Sequence, residues 1–462
     1  MYEKNPSLGV KKKRTRVVLL ALLGLSAVLF VWGAKQQGRL VNTDLHSTDQ
    51  SAYMTFAQRM AQTNFRYTGG RNRMPLYPGL MSFFYKEGMS AESFFERGKN
   101  VGIAIGLGGL IIVFLLFSQI SDPMDAFAGT VVTMFTVFAY KSPYFQAEVL
   151  FYTINLLLFY LLLSLVRKPQ LLMAVFAGFV AGVGYLTKAS VLPAVILAAM
   201  LVLLRGAVDL WRQYHGAETS PFNCSRSRFV LDHLCYVTVF LGCFLFVIFP
   251  YIHQSKARFG YYFYNVNSTF YMWYDSWAEV KQGTRAHSDR VGWPDMPANQ
   301  IPSFNKYWKE HTVVEIVRRF TRGFRDLWNT VTRSYGYTEF LFVYSIAMAL
   351  IIAKNHNVVL TRLRRTHPSV TLFVSGYFLG YTTLYAWYTP IASGNRFVLS
   401  LFLPAMLINL WALSYLQYHN LRCSYFGKEI SPSNVSITVL LFLFAYVLTV
   451  FPHRISSMYG GG

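Results

Sequence analysis

Apolar runs of membrane-spanning length recur from one end of the chain to the other, divided by short polar segments and by two long ones. About twenty apolar residues in a helix cross the hydrocarbon core of a bilayer, and a helix satisfies its own backbone there. On that scale the pattern predicts helices over residues 16–34, 101–120, 126–140, 148–166, 171–186 and 191–204. Further helices are expected over 229–250, 340–353, 370–388, 397–416 and 435–451. The expected fold class is all-α: a polytopic transmembrane helical protein with about eleven crossings.

The long polar stretches, 35–99 and roughly 251–336, carry patterns of their own. Within 49–62 the apolar residues Tyr53, Phe56, Ala57 and Met60 share one helical face, and Thr48 stands where an N-cap helps. Ser90 is a similar cap for 90–97, where Phe94 and Phe95 turn to one side. Gly69-Gly70 and Met74-Pro75-Leu76-Tyr77-Pro78-Gly79 force turns between them. The expectation is two amphipathic juxtamembrane helices on the outer membrane surface, joined by an irregular basic stretch. In the second stretch, 313–331 reads as a basic amphipathic helix preceded by an aromatic run from Tyr261 to Trp277. No internal repeat or low-complexity tract is present.

Composition agrees with the pattern: 53% of residues are hydrophobic and 14% charged, against roughly 25% charged in soluble domains. The net charge of +22 raises nucleic acid as a partner, but no zinc-finger, RNA-binding or helix-turn-helix pattern accompanies it. An anionic membrane surface or an anionic lipid substrate accounts for it better. Much of the basic charge also sets topology. With the N-terminus inside, short or terminal cytoplasmic segments hold Lys11–Arg14, Arg167, Lys168, Arg226, Arg228, Arg362, Arg364, Arg365, Arg422 and Lys428. The acidic segment 121–125 is the exception. Both long stretches then fall outside, where loops of that length escape the charge rule. Of the four cysteines, Cys235 and Cys243 lie in one apolar run and Cys224 and Cys423 in expected cytoplasmic loops, with neither a disulfide framework nor a metal spacing. The first apolar run follows Lys11–Arg14, is long for a signal-peptide core and precedes no small-residue cleavage site, so it is expected to remain as the first helix.

The candidate chemistry gathers at one membrane level. Asp49 opens a helix soon after the first span, and a basic, proline-containing turn with Arg71 and Arg73 follows it. Glu148 stands at the outer mouth of the fourth span, Lys188 at the outer end of the fifth, and Arg396 opens the tenth. Each has a plain account: Asp49 favours its helix N-terminus electrostatically, and helix-end charges snorkel. Four separate segments placing acids and bases at one depth nevertheless make a functional hypothesis.

In this pattern the chain resembles the GT-C superfamily of glycosyltransferases, in the branch that includes protein O-mannosyltransferases and the lipid A aminoarabinose transferase. Asp49-Gln50, Tyr53 and Pro75-Leu76-Tyr77 match the branch's first outer loop, although Gln50 replaces its usual second acid. Glu148 matches the acid of the next outer loop, and Leu186-Thr187-Lys188 its Gly-rich "LTK" segment. Ser393–Phe397 with Pro404 is similar to its "SRY" turn, with Gly394-Asn395 inserted. The second long loop matches nothing in the branch. The resemblance implies a GT-C fold and an inverting transferase on the outer face of a bacterial inner (plasma) membrane, moving a sugar from a polyprenyl-phosphate donor to an acceptor hydroxyl. It implies a catalytic N-terminal transmembrane module over 1–250, a second large outer loop over 251–336 and C-terminal transmembrane helices over 337–462.

A polyprenyl phosphate is a good leaving group, so its departure needs positive charge more than a general acid. Lys188, Arg396 and one of Arg71 or Arg73 are the expected phosphate ligands. Asp49 is the expected general base, with Asp44 its nearest competitor, and Glu148 orients the acceptor or the helix of Asp49. The expected partners are the lipid-linked sugar, membrane lipids and a glycan, lipid or protein acceptor, without nucleic acid. The sequence assigns no certain cofactor, and a divalent cation stays open. Two rival classes remain: a transporter or flippase of a lipid-linked glycan, and a surface-polysaccharide ligase or polymerase. A transporter should hold charges or broken helices near the midplane in related halves, whereas here the charges gather at one face. A ligase or polymerase would place its key residues in the late outer loop.

Overall fold

The computed structural model describes residues 6–214, 226–363, 367–425 and 428–457; Cys224, Arg364 and Arg365 lie outside the described residues. The chain opens with α1 (Pro6–Leu40), α2 (Gln50–Gln62), α3 (Leu76–Ser82), α4 (Ala91–Ile120) and α5 (Pro123–Thr133). Then come α6 (Glu148–Arg167), α7 (Leu171–Thr187), α8 (Leu192–Tyr214) and α9 (Arg226–Phe259). The second loop carries α10 (Val313–Arg333) and leads to α11 (Phe342–Lys354), α12 (Pro368–Tyr388), α13 (Asn395–Tyr418) and α14 (Pro432–Thr449). Eight helices among the described residues are long and apolar enough to cross a membrane, and Leu171–Thr187 is a shorter apolar one. The chain is a predominantly helical, all-α-class integral membrane protein.

Besides α7, two further expected spans are helical without being among those eight. α5 continues to Lys141 through a π-turn at Met134–Phe138, and α12 is diluted by Ser, Thr, Gly and Tyr. The expected separate surface helix 90–97 is corrected: Ser90 does cap a helix, accepting from the Ser93 amide at 3.2 Å, but that helix runs unbroken into the membrane as α4. Nothing between Arg97 and Val101 breaks a helix, so propagation continues. The Pro-rich turn 74–79 is also corrected. It opens α3, with Pro75 at the N-cap and Pro78 in the first turn, where no backbone N–H is needed. A two-stranded antiparallel hairpin, β1 (Cys423–Tyr425) with β2 (Lys428–Ile430), occupies what reads as a loop.

Of the eight candidate spans, α6 is the most enclosed: its Tyr152, Leu156, Phe159, Leu162 and Val166 have no exposed surface. A polar side chain in such a place needs partners from its neighbours. Asn155 finds them, donating to the Tyr377 hydroxyl at 2.9 Å and the Ser400 carbonyl at 2.8 Å, which ties α6 to α12 and α13. At the far end Arg205 donates to the Val166 and Arg167 carbonyls at 3.0 and 2.6 Å, satisfying the last turn of α6.

The second loop is docked rather than draped. α10 starts with a capping box in which the Thr312 and Glu315 side chains serve each other's backbone. Its Arg319 is buried, donating to Asp275 Oδ1 at 2.9 Å, the Trp387 carbonyl at 3.1 Å and the Met272 carbonyl at 3.2 Å. Its guanidinium lies 4.2 Å from the Trp387 ring centroid. Gly323 allows the close approach, because a Cβ there would collide with the Ala386 carbonyl. The loop is thereby held over the end of α12.

His311 joins this network, its Nε2 lying 2.7 Å from Asp275 Oδ2. Burial alone would lower its pKa, but the Asp275 carboxylate and the Tyr307 carbonyl outweigh that and hold it above the ordinary value. A raised folded pKa stabilises the fold fully below the unfolded value of about 6.5, and the contribution is lost as pH rises through the folded pKa. Thermal unfolding of wild type and His311→Gln in one detergent, from about pH 5.5 to 9, should show the wild-type advantage shrinking as pH rises. An advantage that grows with pH contradicts the pairing.

Candidate active site

A cavity of about 860 Å³ opens where the ends of α6, α7, α12 and α13 meet the first and second loops. Five cationic side chains (Arg73, Lys188, Arg285, Arg290 and Arg396) and two carboxylates (Asp49 and Glu148) line it.

Asp49 precedes α2 but does not cap it. Its backbone, at φ −96° and ψ 5°, lies outside the extended region that capping requires, and no side-chain cap bond forms. The expected cap, Thr48, instead occupies the left-handed region at φ 57°, a costly conformation for a β-branched residue. That turn leaves the Asp49 carboxylate free for longer-range partners. Oδ1 meets Arg73 at 2.6 Å and Oδ2 meets Arg396 at 2.9 Å. Burial pushes the Asp49 pKa up, yet the two guanidiniums prevail and hold it below the ordinary carboxylate value.

Arg396 is the second residue of α13, where a helix dipole disfavours a cation; Asp49 offsets that. Its entry turn depends on Gly394 at φ 118°, a conformation open to glycine and poor for other residues. The inserted Gly394-Asn395 thus starts α13 with Arg396 facing the cavity. Glu148 begins α6 and Lys188 follows the last residue of α7, so each charge complements its helix end. Their side chains meet at 3.0 Å. Glu148 is buried, and its second oxygen, Oε2, has no hydrogen-bond partner.

The two arginines of the basic turn part company. Arg73 lines the cavity, with its guanidinium 5.4 Å from the Tyr53 ring centroid. Arg71, at φ 57°, turns away from the cavity and is fully buried. It donates to the Thr68 carbonyl at 2.8 Å, the Tyr251 carbonyl at 3.2 Å and Ser255 Oγ at 3.3 Å, and stacks 3.9 Å from the Tyr251 ring centroid. It fastens the first loop to the end of α9. Asp44 is exposed and accepts from the His46 amide at 2.8 Å, away from the cavity lining.

Gln50, which stands where the resembled branch has an acid, is fully buried and uses both ends of its amide. Its Oε1 accepts from Asn42 Nδ2 and the Phe145 amide, each at 2.8 Å, while its Nε2 donates to Asn42 Oδ1 at 2.7 Å. A carboxylate lacks the donor this arrangement needs. Gln50 therefore bolts the start of α2 to the turn that leads into Glu148.

Among the described residues, no group of three or more His, Cys, Asp and Glu side chains could hold a metal ion. Both cavity carboxylates already face cations, with Arg73 and Arg396 on Asp49 and Lys188 on Glu148. A divalent cation added beside three positive side chains would meet repulsion, so this donor set does not fit one as arranged.

No family model and no curated protein sequence matches the chain. It does align with solved structures of the Archaeoglobus fulgidus oligosaccharyltransferase. The apo form aligns at TM-score 0.45 and 14% identity over 95% of this chain and 56% of that one. The complex with Zn and sulfate gives 0.43 and 15%, over 94% and 53%. The complex of this archaeal enzyme, AglB, with an inhibitory peptide and a dolichol-phosphate gives 0.43 and 14%, over 95% and 56%. The chain spans a little over half the length of these structures.

Several lining residues escape sequence reasoning: Asn72, Asn265, Asn267, Ser268, Arg285, Arg290 and Tyr388. The aromatic run 261–277 flagged part of this loop, but nothing in its spacing marks which polar residues face inward. Asn267 is held in place by accepting from the Tyr388 hydroxyl at 3.0 Å.

The contrast between Arg71 and Arg73 is testable. Arg71→Met strands two carbonyls and a hydroxyl, and should cost more than about 2 kcal/mol of stability. Arg73→Gln loses a partly exposed pair and should cost about 1 kcal/mol or less. Detergent thermal unfolding of the two variants checks the order; equal losses would contradict it.

Proposed function

We propose that the protein is an inverting glycosyltransferase that moves a sugar from a polyprenyl-phosphate donor to an acceptor hydroxyl at the outer face of the membrane. The observation that carries this reading is the Asp49 carboxylate held between Arg73 and Arg396, in the same cavity as the Glu148–Lys188 pair. A second feature supports it. An apolar groove of about 640 Å³, lined by Phe324, Leu327, Trp328, Phe342, Phe378 and Leu401 among others, shares Tyr385 with the cavity. A donor with a charged head and an isoprenoid tail fills both, its phosphate in the cavity and its tail in the groove.

The chemistry then follows from competition for the guanidiniums. The donor phosphate draws Arg73 and Arg396 from Asp49, with Lys188 contributing a third positive charge. Asp49, relieved of its partners, becomes a stronger base. The acceptor oxygen attacks the anomeric carbon and its proton passes to Asp49. The sugar–phosphate C–O bond breaks, and its electron pair leaves with the lipid phosphate, where the cations stabilise it. One displacement inverts the anomeric configuration, and one base suffices, unlike the two-carboxylate arrangement of hydrolases. Glu148 fixes Lys188 and offers its unpartnered Oε2 to the acceptor. None of these steps runs through a metal.

Purified protein given a polyprenyl-phosphate sugar and an acceptor should release free lipid phosphate. Asp49→Asn keeps the shape and removes the basicity, and should slow transfer by about two to four powers of ten. Asp44→Asn should transfer at the wild-type rate. An active Asp49→Asn beside a dead Asp44→Asn would move the base to Asp44, and two fully active variants would remove the catalytic reading altogether.

Metal dependence offers a separate check. Transfer should persist after exhaustive chelation, because three side-chain cations already face the phosphate. Loss of activity in excess EDTA, restored by a divalent cation, would refute that arrangement.

A further inference from the structure

The cavity holds more positive charge than a polyprenyl-phosphate sugar can use. A sugar joined through a phosphodiester brings one negative charge, and Arg73, Lys188 and Arg396 already face it. Two arginines remain, and both come from the second loop. Arg285 lines the cavity with its guanidinium 5.1 Å from the ring centroid of Trp277, another lining residue. Arg290 lines it too, and its Nε is buried without a hydrogen-bond partner. Neither forms a salt bridge within 4.0 Å among the described residues. The nearby carboxylate is Asp289, which is fully buried and does not line the cavity. The Tyr271 hydroxyl donates to its Oδ1 at 3.3 Å, and burial raises its pKa. Arg290 and Arg285 act on Asp289 through space in the opposite direction, and Arg290 also bonds the Tyr271 side chain, but neither guanidinium comes within ion-pair distance of Asp289, which stays outside the cavity lining.

A guanidinium lining a partly desolvated cavity is costly unless an anion arrives to meet it. We infer that Arg285 and Arg290 form a second anion subsite, separate from the phosphate ligands, which takes a second negatively charged group of the substrate. The shared chemistry is an oxyanion able to accept from arginine. Two sources can supply it: the second phosphate of a diphosphate-linked donor, or an acid group on the transferred sugar. Trp277, against which Arg285 lies, and Asn267 line the same cavity. The inference rests on the lipid-donor reading above and adds the charge of the substrate to it.

Binding tests it without requiring turnover. The full chain in nanodiscs is titrated with three ligands of one prenyl length: polyprenyl-phosphate glucose, polyprenyl-diphosphate glucose and polyprenyl-phosphate glucuronic acid. Wild type should prefer one of the two doubly charged ligands. Arg285→Gln with Arg290→Gln should weaken that ligand by about tenfold or more, the weight of a charge-assisted hydrogen bond. The same double variant should leave polyprenyl-phosphate glucose unchanged, and the ligand that loses affinity identifies the source of the second charge. Arg285→Lys with Arg290→Lys retains the charge and should retain most of the preference, which separates charge recognition from misfolding. A parallel loss on all three ligands, or none on any, overturns the second subsite alone. Wild type that binds none of the three overturns the donor reading and this inference together.

Discussion

One carboxylate gathers the distant parts of this molecule. Asp49 takes Arg73 from the first loop and Arg396 from the start of α13, positions 347 residues apart in the second case. Three features of the chain serve that contact: the left-handed turn at Thr48, the glycine turn at Gly394 and the amide bolt of Gln50. Each fixes the direction from which a charged side chain arrives, and a charge-assisted pair is only as specific as that direction.

The lipid environment explains why the charges gather at helix ends. In hydrocarbon an ionised side chain is costly, so the interior of the bundle is joined by neutral polar contacts such as Asn155 with Tyr377 and Ser400. At helix ends, solvent access and the dipole lower the cost, and Glu148 and Lys188 each sit where the dipole favours them. Arg396 sits against its dipole, and Asp49 compensates. In the proposed transferase these are ion pairs that a donor phosphate exchanges into, and pre-formed charge stabilises a departing phosphate.

The second loop completes the enclosure. Arg319 and the capping box of α10 hold it over the end of α12, with Gly323 allowing the backbones to touch. Because the loop is anchored by buried donors and aromatic faces, its arginines are presented at a defined wall of the cavity. A loop tethered only at its termini would let them point into water, where their charges would be screened within about 10 Å.

By itself, the sequence determined the helical membrane architecture and the gathering of charged residues at helix ends. Both follow from a strong, one-dimensional constraint: apolar runs must match a bilayer, and charges must leave it. It also marked Asp49, Glu148, Lys188 and Arg396 as charges at helix ends. It could not separate Arg71 from Arg73, because two arginines in one turn look alike until the backbone sends one into an aromatic pocket and the other into the cavity. It marked Gln50 only as a departure, since the need for both a donor and an acceptor appears once Asn42 and the Phe145 amide are beside it. The run of α4 back through Ala91 and the inward-facing arginines of the second loop were decided by tertiary packing. Whether a polar side chain meets water, a partner or an empty cavity depends on contacts between residues hundreds of positions apart, and no local pattern encodes those.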